Sequence, residues 1–252
     1  MVHFVGAGCG AEDLITLRGK ALLERADVVI YAGSLVNPAL LKYTKKDCEI
    51  HDSAVLTLEE VIAVMRDAER RSLETVRLHT GDPCLYGAVR EQFDALDALG
   101  IAYDVCPGVS AFGGAAAALR AEYTLPEVSQ TVIISRMEGR TPVPEREKIR
   151  ALAAHGSTMV LFLSTGLLDA LQAELIEGGY APDTPAAIVC KASWPDEKKF
   201  VTTVEKLAQT ARENGIAKTA LVLVGGFLGR DYERSKLYDP AFTTAYRKGR
   251  EP

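Results

Sequence analysis

The sequence predicts an α/β fold divided between two domains. Short apolar runs alternate along the chain with longer amphipathic stretches, which is the pattern expected when strands and helices follow one another. A length of 252 residues is enough for one large domain or for two smaller ones. The helix-poor segment Ala121–Gln130, which contains Pro126, interrupts the alternation. We therefore predict domains at residues 1–121 and 122–252.

In the N-terminal half, a strand is predicted at Val2–Val5, directly before a glycine-rich turn. Thr16 has the side chain of a helix cap, and Thr57 with Glu60 forms a capping box, so helices should begin at both threonines. In the second of these helices Val61, Ile62, Val64 and Met65 mark the buried face. Further strands are predicted at 28–31, 75–79 and 101–106, and the helices at 16–25, 57–71, 88–99 and 113–119.

The C-terminal half repeats the alternation but shows no convincing internal repeat. Strands are predicted at 131–135, 159–164, 186–191 and 220–224, and helices at 145–154, 168–178 and 205–213. The last twenty or so residues carry charged and aromatic side chains with little periodicity.

Composition excludes several classes of function. A net charge of −5 gives no electrostatic basis for binding nucleic acid. No apolar run approaches the roughly 20 residues of a membrane span, and no signal-peptide pattern follows Met1, so we expect a cytoplasmic protein with no membrane partner. The five cysteines are odd in number and lack C-x-x-C spacing. We expect reduced thiols and no metal site.

The turn Gly6–Ala11 loosely matches the dinucleotide fingerprint G-x-G-x-x-G/A. That fingerprint also requires an acidic residue after the second strand, and none follows Tyr31. Glu12 and Asp13 would moreover repel a phosphate at this turn. A nicotinamide dehydrogenase is therefore disfavoured. The glycines are needed for a tight turn, and their bare backbone can approach a ligand or a neighbouring loop.

Several segments, taken in order, resemble the tetrapyrrole methylases, the class III S-adenosylmethionine-dependent methyltransferases. They are Val5–Gly8 with Asp13–Gly19, His79–Gly87 and Pro107–Ala111. Others are similar to the branch of this family that acts on precorrin-4: Tyr31–Val36, Leu125–Thr131, Arg136–Pro142 and Ser235–Pro240. The resemblance covers nearly the whole chain, from Val2 to about Asp239.

The resemblance implies two α/β domains of the tetrapyrrole methylase type, with the cofactor S-adenosyl-L-methionine in the crevice between them, and a homodimer. The implied reaction methylates carbon 11 of precorrin-4 or cobalt-precorrin-4 and leaves S-adenosyl-L-homocysteine. The positions that match family contacts to the cofactor, many of them through backbone, are Cys9, Thr80, Gly81, Asp82, Leu85, Ser110, Ala111, Leu163 and Ala192. The family usually has proline where Cys9 stands, and often glycine where Thr80 and Ala192 stand.

No catalytic residue is assigned. A sulfonium donor leaves as a neutral group, so methyl transfer depends on alignment more than on a strong acid. Asp82 either caps the turn after its strand or acts as a weak base, and the cap is favoured. The hydroxyl of Tyr86 either points to the substrate or lies in the core. His79 is expected to be a buried, hydrogen-bonded histidine, and Cys84 a small apolar filler.

An acidic protein that binds a polycarboxylate needs local arginines, whose planar fork pairs with carboxylate. Arg136 and Arg140 flank a turn after a predicted strand, and we expect them to contact substrate. Arg146 and Lys148 are expected to be solvated surface charges. Two alternatives stay open: a family member that methylates a different ring carbon or a different acceptor, and a carrier that binds the pigment without a sulfonium site. The sequence leaves open whether the acceptor already contains cobalt.

Overall fold

The computed structural model describes residues 1–33 and 35–250. Ser34, which belongs to one of the segments that carry the resemblance, lies outside the described residues. The chain separates into two compact units. Unit 1 comprises Met1–Ala115 and Lys191–Glu197, and unit 2 comprises Ala116–Cys190 and the chain from Lys198 onward. The division predicted at residues 121 and 122 stays a prediction.

Unit 1 is built on a parallel five-stranded sheet with helices on both faces. Its strands are β1 (Val2–Gly6), β2 (Val28–Tyr31), β3 (Glu49–Asp52), β4 (Thr75–His79) and β5 (Tyr103–Cys106), in the spatial order β3-β2-β4-β1-β5. Its helices are α1 (Leu17–Arg25), α2 (Leu58–Arg70), α3 (Arg90–Leu99) and the first half of α4 (Ala111–Leu119). The carboxyl ends of parallel strands lie at one edge of a sheet, which is where α/β proteins place ligands.

Each face of this sheet buries one layer of side chains. Val29 and Leu78 pack with Leu23 of α1 on one face, and Phe4 packs with Met65 of α2 on the other. Strands β1, β2 and β4 are therefore covered on both faces; β1 and β2 are largely apolar, whereas β4 also buries Thr75, Arg77 and His79.

The predicted helix starts of α1 and α2 are confirmed. The hydroxyl oxygen of Thr16 accepts a hydrogen bond from the backbone N–H of Gly19 at 3.0 Å. Thr57 accepts from the N–H of Glu60 at 3.3 Å, while the Glu60 carboxylate accepts from the N–H of Thr57 at 2.7 Å. This reciprocal pair satisfies two donors that helix geometry leaves without intrahelical partners.

Unit 2 contains a mixed five-stranded sheet. Its strands are β6 (Val132–Arg136), β7 (Thr158–Phe162), β8 (Pro185–Cys190), β9 (Lys198–Thr203) and β10 (Ala220–Val224), in the order β6-β7-β10-β8-β9. Only the β6–β7 pair is parallel. The helices that follow the end of α4 are α5 (Ile149–Ala153), α6 (Leu168–Glu177) and α7 (Leu207–Glu213). Met159, Ile188 and Val222 pack against Leu171 and Leu207 in its core.

The sequence prediction missed strands β3 and β9. Both are edge strands that pair with a single neighbour, and most of their residues are exposed or half-buried. Their sequences, Glu-Ile-His-Asp and Lys-Lys-Phe-Val-Thr-Thr, carry the polar residues that such edges commonly show. An edge strand of this kind lacks the apolar run that identifies a central strand.

The helices formed by residues 1–33 and 35–250 are all too short or too polar to span a membrane. Within the same ranges, no group of three or more His, Cys, Asp and Glu side chains is arranged to hold a metal ion. The cysteines Cys9, Cys48, Cys84, Cys106 and Cys190 are all free thiols.

Candidate functional site

The loops after β1 and β4 continue to pair beyond the sheet of unit 1. The N–H of Ala7 donates to the carbonyl of His79 at 2.7 Å. Gly8 and Gly81 then exchange two backbone hydrogen bonds, of 3.2 and 2.9 Å. The glycine-rich turn is therefore fastened to the loop that begins at Thr80.

The turn after β5 packs against both loops through bare backbone. A Cβ on Gly108 would overlap the carbonyl oxygen of Gly81 and lie 2.7 Å from the Cα of Gly6. A Cβ on Gly6 would lie 2.5 Å from the Cα of Gly108. Contacts this short exclude any side chain at either position. The backbone of Gly6 therefore packs directly against the neighbouring loops at Gly81 and Gly108.

Asp82 joins the loop after β4 to the turn after β5. One carboxylate oxygen accepts from the N–H of Cys84 at 2.8 Å, and the other accepts from the N–H of Gly108 at 2.8 Å. Burial acts to raise the pKa of Asp82, but the hydrogen bonds from Cys84 and Gly108 outweigh it and hold the pKa below its usual value. Asp82 is therefore ionised and caps the turn, as the favoured interpretation predicted.

Tyr86 lies in the same loop as Asp82, on a backbone with positive φ of 54°. Its side chain is 45% exposed, which excludes the core position that the sequence left open. Thr80 is exposed as well, and Leu85 is half-buried. The loop thus presents both polar and apolar side chains at the carboxyl edge of the sheet.

His79, directly before this loop, corrects one expectation. It is buried, with 4% exposed, as expected, but its Nε2 has no hydrogen-bond partner among the described residues, so the expectation that its hydrogen bonds are satisfied fails at this nitrogen. Burial, assisted by the charge of Arg77, lowers the pKa of His79 to about 3. The imidazole is therefore neutral at physiological pH.

Cys9 and Gly10 are covered by a segment from much later in the chain, Lys191–Glu197. The hydroxyl of Ser193 lies 3.3 Å from the Cys9 sulfur and accepts from the N–H of Ala11 at 2.9 Å. Ala192 is buried there, and the Trp194 ring fills the space that a Cβ on Gly10 would take. Sequence reasoning missed Ser193, because no local pattern connects it to a turn 182 residues away.

In unit 2, Ser164 ties together the ends of the parallel strands β6 and β7. Its buried hydroxyl donates to the carbonyl of Phe162 at 2.7 Å and accepts from the N–H of Met137 at 2.8 Å. Leu163, which lies between Phe162 and Ser164 in the chain, has a φ of 52° and a side chain that is 67% exposed. A leucine held in the left-handed region is uncommon and points to a constrained turn.

Arg136, at the end of β6, binds its own loop. Its guanidinium donates to the carbonyl oxygens of Thr141 at 3.2 Å and Pro142 at 2.8 Å. Arg140, inside that loop, is exposed. Arg136 therefore shapes the segment that carries Arg140, a role that the sequence did not reveal.

The structure gathers most of the predicted cofactor positions at one edge of unit 1. A Cβ on Gly81 would lie 3.5 Å from the nitrogen of Ala111 and 3.6 Å from the Cα of Ser110, so these three are direct neighbours. The edge offers backbone groups, small side chains and the apolar Leu85, which fits an adenosyl group with an amino-acid tail. The carboxylate of Asp82 is engaged by backbone, so the arrangement favours binding and alignment over acid–base chemistry. The predicted positions Leu163, Arg136 and Arg140 belong to unit 2.

Comparison with known proteins agrees with this arrangement. Residues 1–208, most of the chain, match the family of Tetrapyrrole (Corrin/Porphyrin) Methylases. The chain belongs to the tetrapyrrole methylases.

Full-length relatives within the tetrapyrrole methylases are similar in sequence. A protein of Methanocaldococcus jannaschii named cobalt-precorrin-4 C(11)-methyltransferase is 54% identical over 98% of this chain and 96% of its own length. A protein of the same name from Priestia megaterium is 47% identical over 98% of both chains. One named precorrin-4 C(11)-methyltransferase, from Mycobacterium tuberculosis, is 43% identical over 95% of this chain and 96% of its own.

Solved structures of tetrapyrrole methylases share the fold. The X-ray structure of a cobalt precorrin-4 methyltransferase, described as a cobalamin biosynthetic enzyme, matches with a TM-score of 0.89 at 46% identity over 91% of this chain and 96% of that one. A uroporphyrin-III C-methyltransferase of Thermus thermophilus, complexed with S-adenosylhomocysteine, matches with a TM-score of 0.74 at 26% identity over 90% and 92% of the two chains. The predicted α/β fold, the tetrapyrrole methylase family and the methyltransferase class are confirmed. The assignments of individual site residues stay predictions.

We expect Ser164→Ala to loosen the edge of unit 2 in this methylase. The substitution removes the acceptor of the Met137 N–H and frees the turn at Leu163. The free energy of unfolding should fall by about 1–3 kcal/mol, the cost of losing a buried hydrogen-bond partner. Chemical denaturation measures this change. Ser235→Ala, which removes a hydroxyl in the exposed tail, is the control and should cost less than about 0.5 kcal/mol. Equal effects in the two variants would contradict the role of Ser164.

Proposed function

We propose that this protein transfers a methyl group from S-adenosyl-L-methionine to carbon 11 of precorrin-4 or cobalt-precorrin-4 during cobalamin biosynthesis. The observation that carries the proposal is the cluster of three loops at the carboxyl edge of unit 1, held by the Gly8–Gly81 pairing and by Asp82. The names of the full-length relatives specify the acceptor and the carbon.

For the donor, the proposal assigns backbone and small side chains. Gly81, Ser110 and Ala111 would bind it directly, with Leu85 supplying apolar contact; Asp82 would act by holding the loops in place. The full proposed set is Cys9, Thr80, Gly81, Asp82, Leu85, Ser110, Ala111, Leu163 and Ala192. S-adenosyl-L-methionine supplies an activated methyl group on a sulfonium, and S-adenosyl-L-homocysteine is left. Loops that are rigidly joined keep such a donor aligned, and alignment supplies a large part of the acceleration in a displacement reaction.

For the acceptor, the proposal assigns Tyr86, Arg136 and Arg140. Precorrins carry acetate and propionate arms, and an arginine fork binds a carboxylate through two parallel hydrogen bonds. Arg140 is exposed and can reach such an arm. Arg136 instead supports the loop that carries Arg140, by donating hydrogen bonds to the carbonyls of Thr141 and Pro142. The exposed Tyr86 offers a hydroxyl at the carboxyl edge of unit 1.

We further propose a homodimer in the cytoplasm. The small residues of Gly113–Ala118 in α4 suit an interface with a second copy, and the free thiols suit a reducing compartment. Light scattering at micromolar concentration tests the dimer, and a monomer there would contradict it.

The reaction is tested by supplying the purified protein with metal-free or cobalt-containing precorrin-4 and a donor labelled with ¹³C at its methyl group. We expect one new methyl signal, on ring carbon 11, in NMR spectra of the product. Label on another carbon, or on oxygen or nitrogen, would overturn the assignment. Comparing rates with the two acceptors decides whether cobalt is already present in the substrate.

Arg136→Ala and Arg140→Ala are expected to impair substrate handling and to leave donor affinity nearly intact. Arg140→Ala loses a carboxylate contact of on the order of 1.5–3 kcal/mol, so its kcat/KM should fall roughly tenfold or more. Arg136→Ala should lower kcat/KM by releasing the segment that carries Arg140 from the bonds to Thr141 and Pro142. Arg140→Lys should retain part of the wild-type kcat/KM, since lysine keeps the positive charge but lacks the planar fork of arginine. Steady-state kinetics and calorimetry with S-adenosylhomocysteine measure both quantities. Unchanged kcat/KM in both variants would contradict the assignment of these arginines to substrate handling.

A further inference from the structure

A cavity of about 390 Å³ opens in unit 1 beside the turn that follows β5. Its lining residues come from the start of α1 and from that turn: Thr16, Arg18, Cys106, Pro107, Gly108 and Val109. Cys106 ends β5 and Gly108 is bound by Asp82, so the cavity lies at the same carboxyl edge as the three loops.

Arg18 is the charged residue of this lining. The Thr16 hydroxyl is committed to the N–H of Gly19 at 3.0 Å, and the Cys106 thiol is buried. Within residues 1–33 and 35–250, no carboxylate forms an ion pair with Arg18, whereas Arg71 is paired with Glu49. A guanidinium at a cavity wall without a carboxylate from its own chain is free to take one from a ligand.

The surroundings of Arg18 are apolar. Val109 lines the cavity and is 38% exposed, and Pro107 in the same wall is exposed as well. Exposed apolar side chains in a cavity wall provide a contact surface for an apolar ligand. A tetrapyrrole joins both features, because it is a flat, largely apolar macrocycle that carries carboxylate arms.

We propose that this cavity binds one acetate or propionate arm of the tetrapyrrole, with Arg18 as the carboxylate anchor and Val109 and Pro107 against the methylenes of that arm. The inference rests on the proposed function and adds a substrate contact to it. The protein has a net charge of −5, which repels a polyanionic substrate at long range. A local cation such as Arg18 offsets this repulsion.

Binding is tested without catalysis by fluorescence titration of uroporphyrin, a stable tetrapyrrole with acetate and propionate arms. Arg18→Met keeps the length of the side chain and removes its charge, and should raise Kd about tenfold. Arg18→Lys should recover part of the affinity. The matched control is Arg66→Met, which removes an exposed arginine from α2 of the same unit and should leave Kd within about twofold. Uroporphyrin octamethyl ester, which has no carboxylates, should bind wild type and Arg18→Met alike.

Kinetics separates this inference from the proposed function. In Arg18→Met, KM for precorrin-4 should rise about tenfold, with kcat changed less than about threefold and Kd for S-adenosylhomocysteine unchanged. Equal behaviour of Arg18→Met and Arg66→Met would overturn the anchor while leaving the methylation of carbon 11 standing. Wild-type protein that methylates no precorrin-4 would instead overturn the proposed function. A shift in the dimer equilibrium of Arg18→Met, seen by sedimentation, would overturn the anchor by assigning the surface to a second copy.

Discussion

Gly108→Ala is expected to abolish stable folding of unit 1, or to lower its free energy of unfolding by about 4 kcal/mol or more. The new Cβ would overlap the Gly81 carbonyl oxygen and approach the Gly6 Cα to 2.7 Å. Both obstacles are backbone, so neither can rotate away as the end of a side chain would. Relief requires the three loops to separate, which would break the Gly8–Gly81 pairing and the Asp82–Gly108 hydrogen bond.

Gly166→Ala is the control. Gly166 is an exposed residue of the turn Thr165–Leu167 in unit 2, and a Cβ there meets nothing within 4 Å. This variant should stay within about 0.5 kcal/mol of wild type, as surface substitutions usually do. Thermal unfolding and calorimetry with S-adenosylhomocysteine measure both variants. A Gly108→Ala protein with wild-type stability and donor affinity would refute the close packing of the loops.

Asp82→Asn is expected to weaken donor binding tenfold or more and to lower the free energy of unfolding by about 1.5–3 kcal/mol, the range for hydrogen bonds to a charged group. An amide has one acceptor oxygen, whereas Asp82 uses both oxygens, for Cys84 and for Gly108. One of the two backbone N–H groups would therefore face an NH₂ donor. Either the turn after β5 would lose its attachment to the loop after β4, or that loop would lose its internal bond to Cys84.

Asp94→Asn is the control for Asp82→Asn, because Asp94 forms an exposed ion pair with Arg90 on α3. Exposed pairs contribute little, so this change should cost less than about 1 kcal/mol. Denaturant unfolding and titration with S-adenosylhomocysteine compare the two variants. Similar small effects in both would mean that Asp82 does not join the loops.

The stabilisation by Asp82 should also depend on pH. Because the folded-state pKa lies below the unfolded value, the contribution is complete above the unfolded pKa of about 4 and is lost as pH falls through the lower folded-state pKa. The stability difference between wild type and Asp82→Asn should therefore be constant near neutral pH and shrink below about pH 4. A stability difference between wild type and Asp82→Asn that grows as the pH falls would contradict a lowered pKa of Asp82 in the folded state.

Elements whose causes are local were predictable. The caps at Thr16 and Thr57 depend on residues within one helical turn, and both helices begin where these side chains indicate. Central strands such as β2 and β10 are apolar runs because they are buried. Strand β9 was missed because its stability comes from pairing with β8, and its own exposed residues carry no such run.

The candidate site divides in the same way. The order of the motifs placed the chain in its family and identified the loops at Gly6, Thr80 and Pro107, since these are continuous stretches of sequence. Their mutual contacts were not visible, because they join residues that are far apart in the chain. The Gly8–Gly81 pairing is of this kind, and so is the hydroxyl of Ser193 against Ala11.

The sequence by itself thus determined the fold class and the family and pointed to the segments of the candidate site, because each of these is encoded by neighbouring residues. Tertiary structure alone decided how individual side chains are used. Arg136 turns to its own loop carbonyls, whereas Arg18 lines a cavity without a carboxylate partner among the described residues. In sequence both are arginines near a turn. What separates them is which acceptors the folded backbone brings within hydrogen-bonding distance, and that depends on packing between distant segments.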